Sequence, residues 1–340
     1  MRVTDTLNRP MTSLRISVTE RCNLRCNYCM PEDDYTWLPR ESILSYEEIV
    51  KLVDVFMSLG VDRLRITGGE PLLRENLPSL IEQLAARSNL RDLALTTNAV
   101  KLASQASVLR AAGLHRVTIS LDTLQPKRFF DLTKFDVHKS VLAGIDAAIN
   151  AGFQNIKLDT VVIRGVNDDE LIALLEYAKR LGVEIRFIEY MDVGGATQWS
   201  SDSVVSRKEM LKSIGDHFGS LTPVRAQTAA PADRFKLPDG TIFGIISSTT
   251  QPFCRSCDRS RLTADGLWYL CLYAQEGVDL RQYLRNDTPP DEIASIIQNK
   301  WSVRNDRGAE ARVATPGRTT FIPLGRLREE PHLEMHTRGG

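Results

Sequence analysis

Six cysteines fall into two triplets with none left over: Cys22, Cys26 and Cys29, then Cys254, Cys257 and Cys271. Their spacings are C-x3-C-x2-C and C-x2-C-x13-C. In a reducing compartment, cysteines grouped this way are metal ligands sooner than halves of disulfides. Each triplet is one ligand short of a closed site, because structural zinc takes four ligands and a cubane iron–sulfur cluster takes four cysteines. The five histidines, His115, His138, His217, His332 and His336, lie near neither triplet in sequence. Two cubanes, each with one iron lacking a protein ligand, fit this count best, and such an iron can bind a substrate. The first triplet could otherwise be a redox or zinc C-x2-C with Cys22 as a bystander. The second, met alone, also reads as an incomplete zinc ribbon, with Asp258 or a distant histidine as the candidate fourth ligand.

A second kind of chemistry is signalled by cations where apolar residues belong. Parallel strands buried on both faces are almost wholly apolar, yet the strand candidates contain Arg15, Arg63, Arg65, Lys157 and Arg186. Arg63, Arg65 and Thr67 alternate onto one face. A buried cation without a partner is expensive. A polyanion held inside the sheet accounts for the set, and forked Arg donors suit phosphate. Taken singly, each cation could cap a strand end or pair with a carboxylate such as Glu70 or Glu189. The turn Thr67-Gly68-Gly69-Glu70-Pro71 lets backbone approach closely; alone, it reads as an ordinary strand-to-helix turn.

The elements that must hold these residues follow from periodicity. Strand patterns at 14–18, 63–66, 93–96, 116–120, 156–162 and 184–188 alternate with helical patterns at 46–59, 77–86, 104–112, 140–151 and 169–181. Ser45 and Glu48 form a capping box, and Gly60 stops that helix. Gly113, Gly152 and Gly182 follow later helices. Strand–helix alternation predicts a parallel sheet, either an incomplete barrel or an open doubly wound sheet, with function at the C-terminal edge of the strands. After about residue 190 the pattern changes. A helix near 208–218, a loop over 225–233, strands at 235–237 and 241–246, and helices near 280–285 and 290–303 are expected, with irregular chain after about 304.

The 340 residues allow one large α/β domain with an appendage, or two domains. Lys and Arg number 43 against 43 Asp and Glu, for a net charge of zero. That argues against broad nucleic-acid binding, which needs a basic footprint. No apolar run reaches about 18 residues, and the N-terminus lacks an apolar signal core. The expected location is the cytoplasm, with no membrane partner.

The first triplet, with Tyr28 before its last cysteine and Gly68-Gly69-Glu70 behind the second strand, resembles the radical S-adenosylmethionine (SAM) superfamily. The phrases LRISVTERCNLRCNYCMP, RLRITGGEPLLR, LALTTNA, VTISLDTL, RFIEYMDVG and FCRSCDRSRLTADGLWYLCL are similar to the GTP 3′,8-cyclase family of molybdenum-cofactor biosynthesis, which also ends in two glycines. The likeness spans residues 14–340. Glu20 stands where that family often has Asp, Arg63 where Lys is common, and Arg338 where an apolar residue often precedes the glycines.

The resemblance implies an incomplete (β/α)6 parallel barrel of radical SAM type over residues 1–190. A C-terminal α+β domain, residues 191–340, would carry a second iron–sulfur cluster, close the barrel and end in the Gly-Gly tail. Both clusters are expected as 4Fe–4S cubanes. The one on Cys22, Cys26 and Cys29 would chelate SAM; the one on Cys254, Cys257 and Cys271 would bind guanine. Reductive cleavage of SAM would give a 5′-deoxyadenosyl radical that takes hydrogen from C3′ of GTP. The C3′ radical would add to C8, and one further electron would complete 3′,8-cyclo-7,8-dihydro-GTP. Motif position assigns Tyr28, Gly69, Ser120 and Met191 to SAM, and Arg15, Arg65, Thr96, Lys157, Arg259 and Arg261 to GTP. Arg186 would neighbour either ligand, and the tail, Gly339 and Gly340, would assist late chemistry. Implied partners are GTP, an electron-donor protein or reductant, and a downstream cyclic pyranopterin monophosphate synthase; monomer and homodimer both stay open. Two other readings remain at this point: a radical SAM enzyme that modifies a peptide with an auxiliary cluster, and a non-enzymatic iron–sulfur or zinc redox sensor.

Overall fold

The computed structural model describes residues 3–32, 34–224 and 229–339. Strands β1 (Ser13–Ser17), β2 (Arg63–Thr67), β3 (Asp92–Thr97), β4 (Arg116–Ser120), β5 (Lys157–Val162) and β6 (Glu184–Glu189) pair in parallel, in sequence order. Helices α1 (Tyr46–Ser58), α2 (Leu77–Ala85), α3 (Ala106–Ala111), α4 (Pro126–Thr133), α5 (His138–Asn150) and α6 (Leu171–Leu181) make the crossovers. The Ser45–Glu48 capping box is formed, and α1 buries Ile49, Leu52, Val53, Val55 and Phe56 on one stripe. Each expected strand and helix of this half is present, with ends displaced by two residues or fewer. Helix α4 was not expected: it opens on Pro126 and buries only Phe129, Leu132 and Thr133, too few apolar positions to set a period.

The C-terminal part contributes α7 (Arg207–Phe218), β7 (Thr222–Val224), β8 (Asp233–Lys236), β9 (Ile242–Ile246), β10 (Arg259–Leu262), β11 (Leu267–Tyr269) and β12 (Val278–Asp279). Helices α8 (Leu280–Arg285), α9 (Pro290–Ser302), α10 (Gly308–Val313) and α11 (Leu324–Glu329) complete it. Its strands join the first sheet on both sides. Strand β9 pairs in parallel with β6, and β10 in parallel with β1. The outcome is one twelve-stranded sheet in the order β12-β11-β10-β1-β2-β3-β4-β5-β6-β9-β8-β7. The chain after 304 was expected to be irregular but carries α10 and α11. Among its described residues α10 buries none and α11 only Leu327, so neither has the apolar stripe that announces a helix.

The two faces of the sheet differ. Leu14, Ile16, Leu64, Ile66, Leu93 and Leu95 are buried in the main core, while the alternating Ser13, Arg15, Arg63 and Arg65 line a cavity. The strands therefore carry polar residues because their second face bounds a cavity and does not pack against helices. At the end of β6, Glu189 is fully buried and ties crossing segments together. Its carboxylate accepts from the backbone N–H of Arg207 at 2.8 Å, Thr249 at 2.9 Å and Thr250 at 2.7 Å, and from the Thr250 hydroxyl at 2.5 Å. Glu189→Ala strands these donors and should cost about 3 kcal/mol or more, read as a lower denaturation midpoint; an unchanged midpoint would show that the carboxylate does not join these segments.

Candidate active site

One cavity of about 560 Å³ gathers the predicted residues. All six cysteines line it, with Tyr28, Gly69, Ser120 and Met191, and with Arg15, Arg65, Thr96, Lys157, Arg259 and Arg261. Gly339 adjoins the same arginines: its carbonyl accepts from Arg261 Nη1 at 2.6 Å and Arg15 Nη1 at 3.2 Å. Gly340 lies outside the described residues.

The first triplet occupies the loop that leaves β1. Three parallel-strand-like bonds continue past the strands and fix that loop: Val18 N–H to Thr67 O, Gly69 N–H to Thr19 O and Glu70 N–H to Arg21 O, at 2.8–2.9 Å. A Cβ at Gly69 would overlap the Arg21 and Glu20 carbonyl oxygens, so the close approach requires glycine there. Turn bonds from Cys29 N–H and Met30 N–H to Cys26 O, 2.9 and 2.7 Å, wind the triplet. The end of α4 supports it through Arg25 N–H to Thr133 O and Asn27 N–H to Leu132 O. Glu70 is buried and accepts from Thr97 Oγ1 and from the N–H groups of Asn98 and Leu72. Burial lifts it to about 7 against those bonds. The Tyr28 hydroxyl donates to Asp122 at 2.6 Å.

The second triplet is built differently. Cys254 lies in a single helical turn, Cys257 just before β10, and Cys271 just after β11. Because β10 runs with β1 and β11 against it, this triplet sits at the N-terminal edge of the parallel strands. The two triplets thus flank opposite ends of the same strands, the first at the C-terminal edge where the strand–helix pattern places function. Two buried arginines hold its backbone, Arg9 donating to Cys254 O at 3.0 Å and Arg304 to Cys257 O at 3.1 Å. Asp258, a candidate zinc ligand, is instead taken by Thr12 at 2.6 Å and by Arg63. Among the described residues, no three His, Cys, Asp or Glu side chains converge as a single ion requires. All six cysteines are free thiols, partly buried. Burial raises Cys22 and Cys271 to about 11. Against its own burial, Arg259 and Arg304 pull Cys257 down to about 7.

Between the triplets lies a row of cations. Arg261, Arg15 and Arg65 occupy register-matched positions on three adjacent strands. Burial, then Arg261 and Arg259, push Arg15 well down; burial, then Arg15 and Arg116, bring Arg65 to about 9; burial, then Arg259, brings Arg261 to about 10. Lys157 falls to about 8 through burial, Arg186 and Arg116. Arg65 also donates to Thr96 and Thr118 at 3.1 Å. Of the suspected cations, Arg63 pairs with Asp258, and Arg186 with Glu184 at 2.7 Å. Sequence reasoning missed Asp159, Asp122, Arg9 and Arg304. Asp159 alternates with Lys157 on β5 and lines the cavity, a period-2 signal that could have found it; nothing in the spacing announces the others.

Comparison with known proteins agrees with this geometry. Residues 16–178 match the Radical SAM superfamily and residues 183–310 match Molybdenum Cofactor Synthesis C. "GTP 3′,8-cyclase 1" of Mycobacterium tuberculosis is 53% identical over 344 residues, covering 100% of this chain and 96% of its own. "GTP 3′,8-cyclase" of Acidothermus cellulolyticus is 46% identical, covering 91% of this chain and 88% of its own. The chain belongs to the GTP 3′,8-cyclase family. As a radical SAM family it implies a 4Fe–4S cluster and SAM. Streptococcus suis SuiB shares the fold, with a TM-score of 0.62 at 14% identity over 91% of this chain and 69% of that one. No described helix is long and apolar enough to cross a membrane.

The most tightly confined of the described glycines lies outside the Gly68-Gly69 turn. A Cβ at Gly195 would overlap the Cys29 carbonyl oxygen, so Gly195→Ala must displace the first cysteine loop. The variant should bind less iron after anaerobic reconstitution, by about four atoms per chain; wild-type iron content would show that the loop tolerates the shift.

Proposed function

We propose that the chain closes GTP into 3′,8-cyclo-7,8-dihydro-GTP, an early step of molybdenum-cofactor biosynthesis, with Cys22, Cys26 and Cys29 holding the SAM-binding cluster. A cluster held by these three cysteines would supply the electron for reductive cleavage of SAM, and the residues lining the cavity would present C3′ of GTP to the radical so formed. The observation that carries the reading is the register-matched row Arg261–Arg15–Arg65 in a cavity lined by both triplets. A five-residue parallel strand is about 13 Å long, enough to seat a nucleotide between opposite strand ends. We read the sheet as a partial barrel around that cavity, the C-terminal part of residues 191–340 completing its wall. Residues from β1 to β6 and from β10 all contribute to the lining, which supports this.

Each group has a task in that reading. Arg15, Arg65, Lys157, Arg259 and Arg261 neutralise and orient the triphosphate nucleotide, and Thr96 fixes the Arg65 fork. Tyr28, Gly69, Ser120 and Met191 bound the SAM side. The second triplet holds a second 4Fe–4S cluster. Arg9 and Arg304 fasten its carbonyls, which supports a loop held ready for that cluster. The tail places the Gly339 carbonyl on two of the arginines, which supports a late role for Gly339 and Gly340. An electron donor and a synthase that consumes the product complete the expected partners.

Reconstituted protein given GTP, SAM and reductant should yield cyclised nucleotide and 5′-deoxyadenosine, with about eight irons per chain. Cys26→Ala should abolish both products, whereas Cys271→Ala should keep 5′-deoxyadenosine and lose cyclisation. Deleting Gly339-Gly340 should leave clusters and GTP binding intact and abolish the cyclised product; full turnover by that truncated chain would refute the tail's role.

The electrostatics give a pH test. Lys157, at about 8, grips the triphosphate only when protonated. Burial first, then Arg186 and Arg116, bring it there, and Arg65, at about 9, is the next cation to titrate. GTP affinity should therefore be full below pH 8 and fall as pH rises through it, and Lys157→Met should remove that first step in equilibrium binding and leave only the later fall as Arg65 titrates. A wild-type profile that stays flat to pH 9.5 or so would count against Lys157 as a phosphate ligand.

A further inference from the structure

A second cavity, about 1070 Å³, lies at the N-terminal ends of β5 and β6 against the β7–β8 ribbon. It meets the first cavity at Lys157, Arg186 and Ala230, which line both. Its other charged walls are Lys179, Arg207 and Arg234, with the carboxylates Glu184 and Asp233. Five cations therefore face two acids. The acids are shared out in ion pairs: Glu184 with Arg186 at 2.7 Å and Arg234 at 3.0 Å, Asp233 with Arg207 at 2.9 Å. Lys179, 46% exposed, pairs in turn with Asp239, so five cations stand against three acids and the mouth keeps a net positive charge facing solvent. The opposite, C-terminal end of the first cavity is crowded by the tail. Met335 and His336 line that cavity, and a Cβ at Gly339 would overlap Thr67 at the end of β2. Gly194 and Gly195 press against Met335 and Glu334 of the same segment.

We propose that this second cavity is the port through which GTP, led by its triphosphate, reaches the active site and through which the cyclised triphosphate leaves. The inference rests on the GTP reading above. A basic vestibule with low-dielectric walls focuses field lines and speeds the arrival of a polyanion. Lys179, Arg207 and Arg234 pass the phosphates inward to Arg186 and Lys157, which belong to both cavities. As the triphosphate arrives it competes with Glu184 for Arg186, so the ion pairs at the mouth exchange partners and no cation is left desolvated alone. SAM, bounded by residues at the other strand ends, does not share this route.

Two variants test the port. In stopped-flow mixing with a fluorescent GTP analogue, the double variant Lys179→Glu, Arg234→Glu should associate about tenfold more slowly at low salt. That deficit should shrink as salt rises, and SAM affinity should be unchanged. Ala232→Trp, which narrows the same cavity, should slow association and dissociation by equal factors and leave Kd unaltered. That split marks a passage and not a binding contact. Circular dichroism and melting of both variants establish that each is folded. Unchanged association rates in folded variants would overturn the port. Failure of the unaltered protein to bind the GTP analogue at all would overturn the GTP reading and the port with it. Slowed SAM binding in Ala232→Trp would also overturn the separation of routes.

Discussion

Everything in this structure answers to a row of positive charge placed inside a sheet. Arg261, Arg15 and Arg65 are neighbours in register on parallel strands, and such strands are about 4.8 Å apart. Two unit charges at that spacing repel by roughly 3 kcal/mol even at an effective dielectric constant of 20. The fold tolerates this because the row faces a cavity, with the apolar core kept to the other face of the same strands. Hydrogen-bond acceptors are spaced along it: Thr96, Thr118 and the Gly339 carbonyl. Asp159, buried among Arg186, Arg65, Arg15 and Lys157, adds a negative charge that burial itself opposes. A bound polyanion would relieve the remaining repulsion, so the protein is poised for its ligand by its own unfavourable electrostatics.

The same row explains why distant parts of the chain form one sheet. Strand β1 lies between β2 and β10, so one five-residue segment carries the first cysteine loop at one end and abuts the second triplet at the other. The N-terminal residues complete the bracket. Asp5 pairs with Arg9 at 2.5 Å, Arg9 holds Cys254 O and Asp306 O, and the Trp301 indole donates to Arg9 O at 3.1 Å. Thr12 and Arg63 share Asp258, adjacent to Cys257. Removing any one of these would leave a buried charge or donor without its partner, which is costly. The two cysteine loops are therefore positioned by a common framework.

What the sequence disclosed followed from period and spacing. Alternation of strands and helices, capping at Ser45 and glycine stops gave the parallel half nearly residue by residue, because those signals are local. The C-terminal strands were harder. Strand β10 reads Arg-Ser-Arg-Leu, with two cations in four residues, and is a strand because β1 offers a partner and the cavity accepts its arginines. That is tertiary information. The cysteines and motif residues were legible by identity, and the cations by their misfit with a buried strand. Arg9, Arg304 and Asp258 were not, since their roles depend on which carbonyls and hydroxyls the fold brings to them. Arg63 and Arg186 show the converse: their misfit was visible, but their carboxylate partners were settled only in three dimensions.

Arg338 brings these themes together. It is 1% exposed, deep burial for a cation. Its guanidinium donates to His332 O at 2.7 Å, Leu272 O at 2.9 Å and Ala274 O at 2.6 Å, and lies 4.2 Å from the centroid of the Tyr269 ring. An apolar side chain would bury area at this point but could not collect three carbonyls. The arginine thereby fastens the tail to the loop that follows Cys271. The next residue, Gly339, has φ +66 and no room for a Cβ beside Thr67. A side chain there would be both strained and obstructed, so glycine alone brings a backbone carbonyl onto Arg261 and Arg15. In this chain the tail is thus held from one side by a cation buried among carbonyls and met on the other by Arg261 and Arg15.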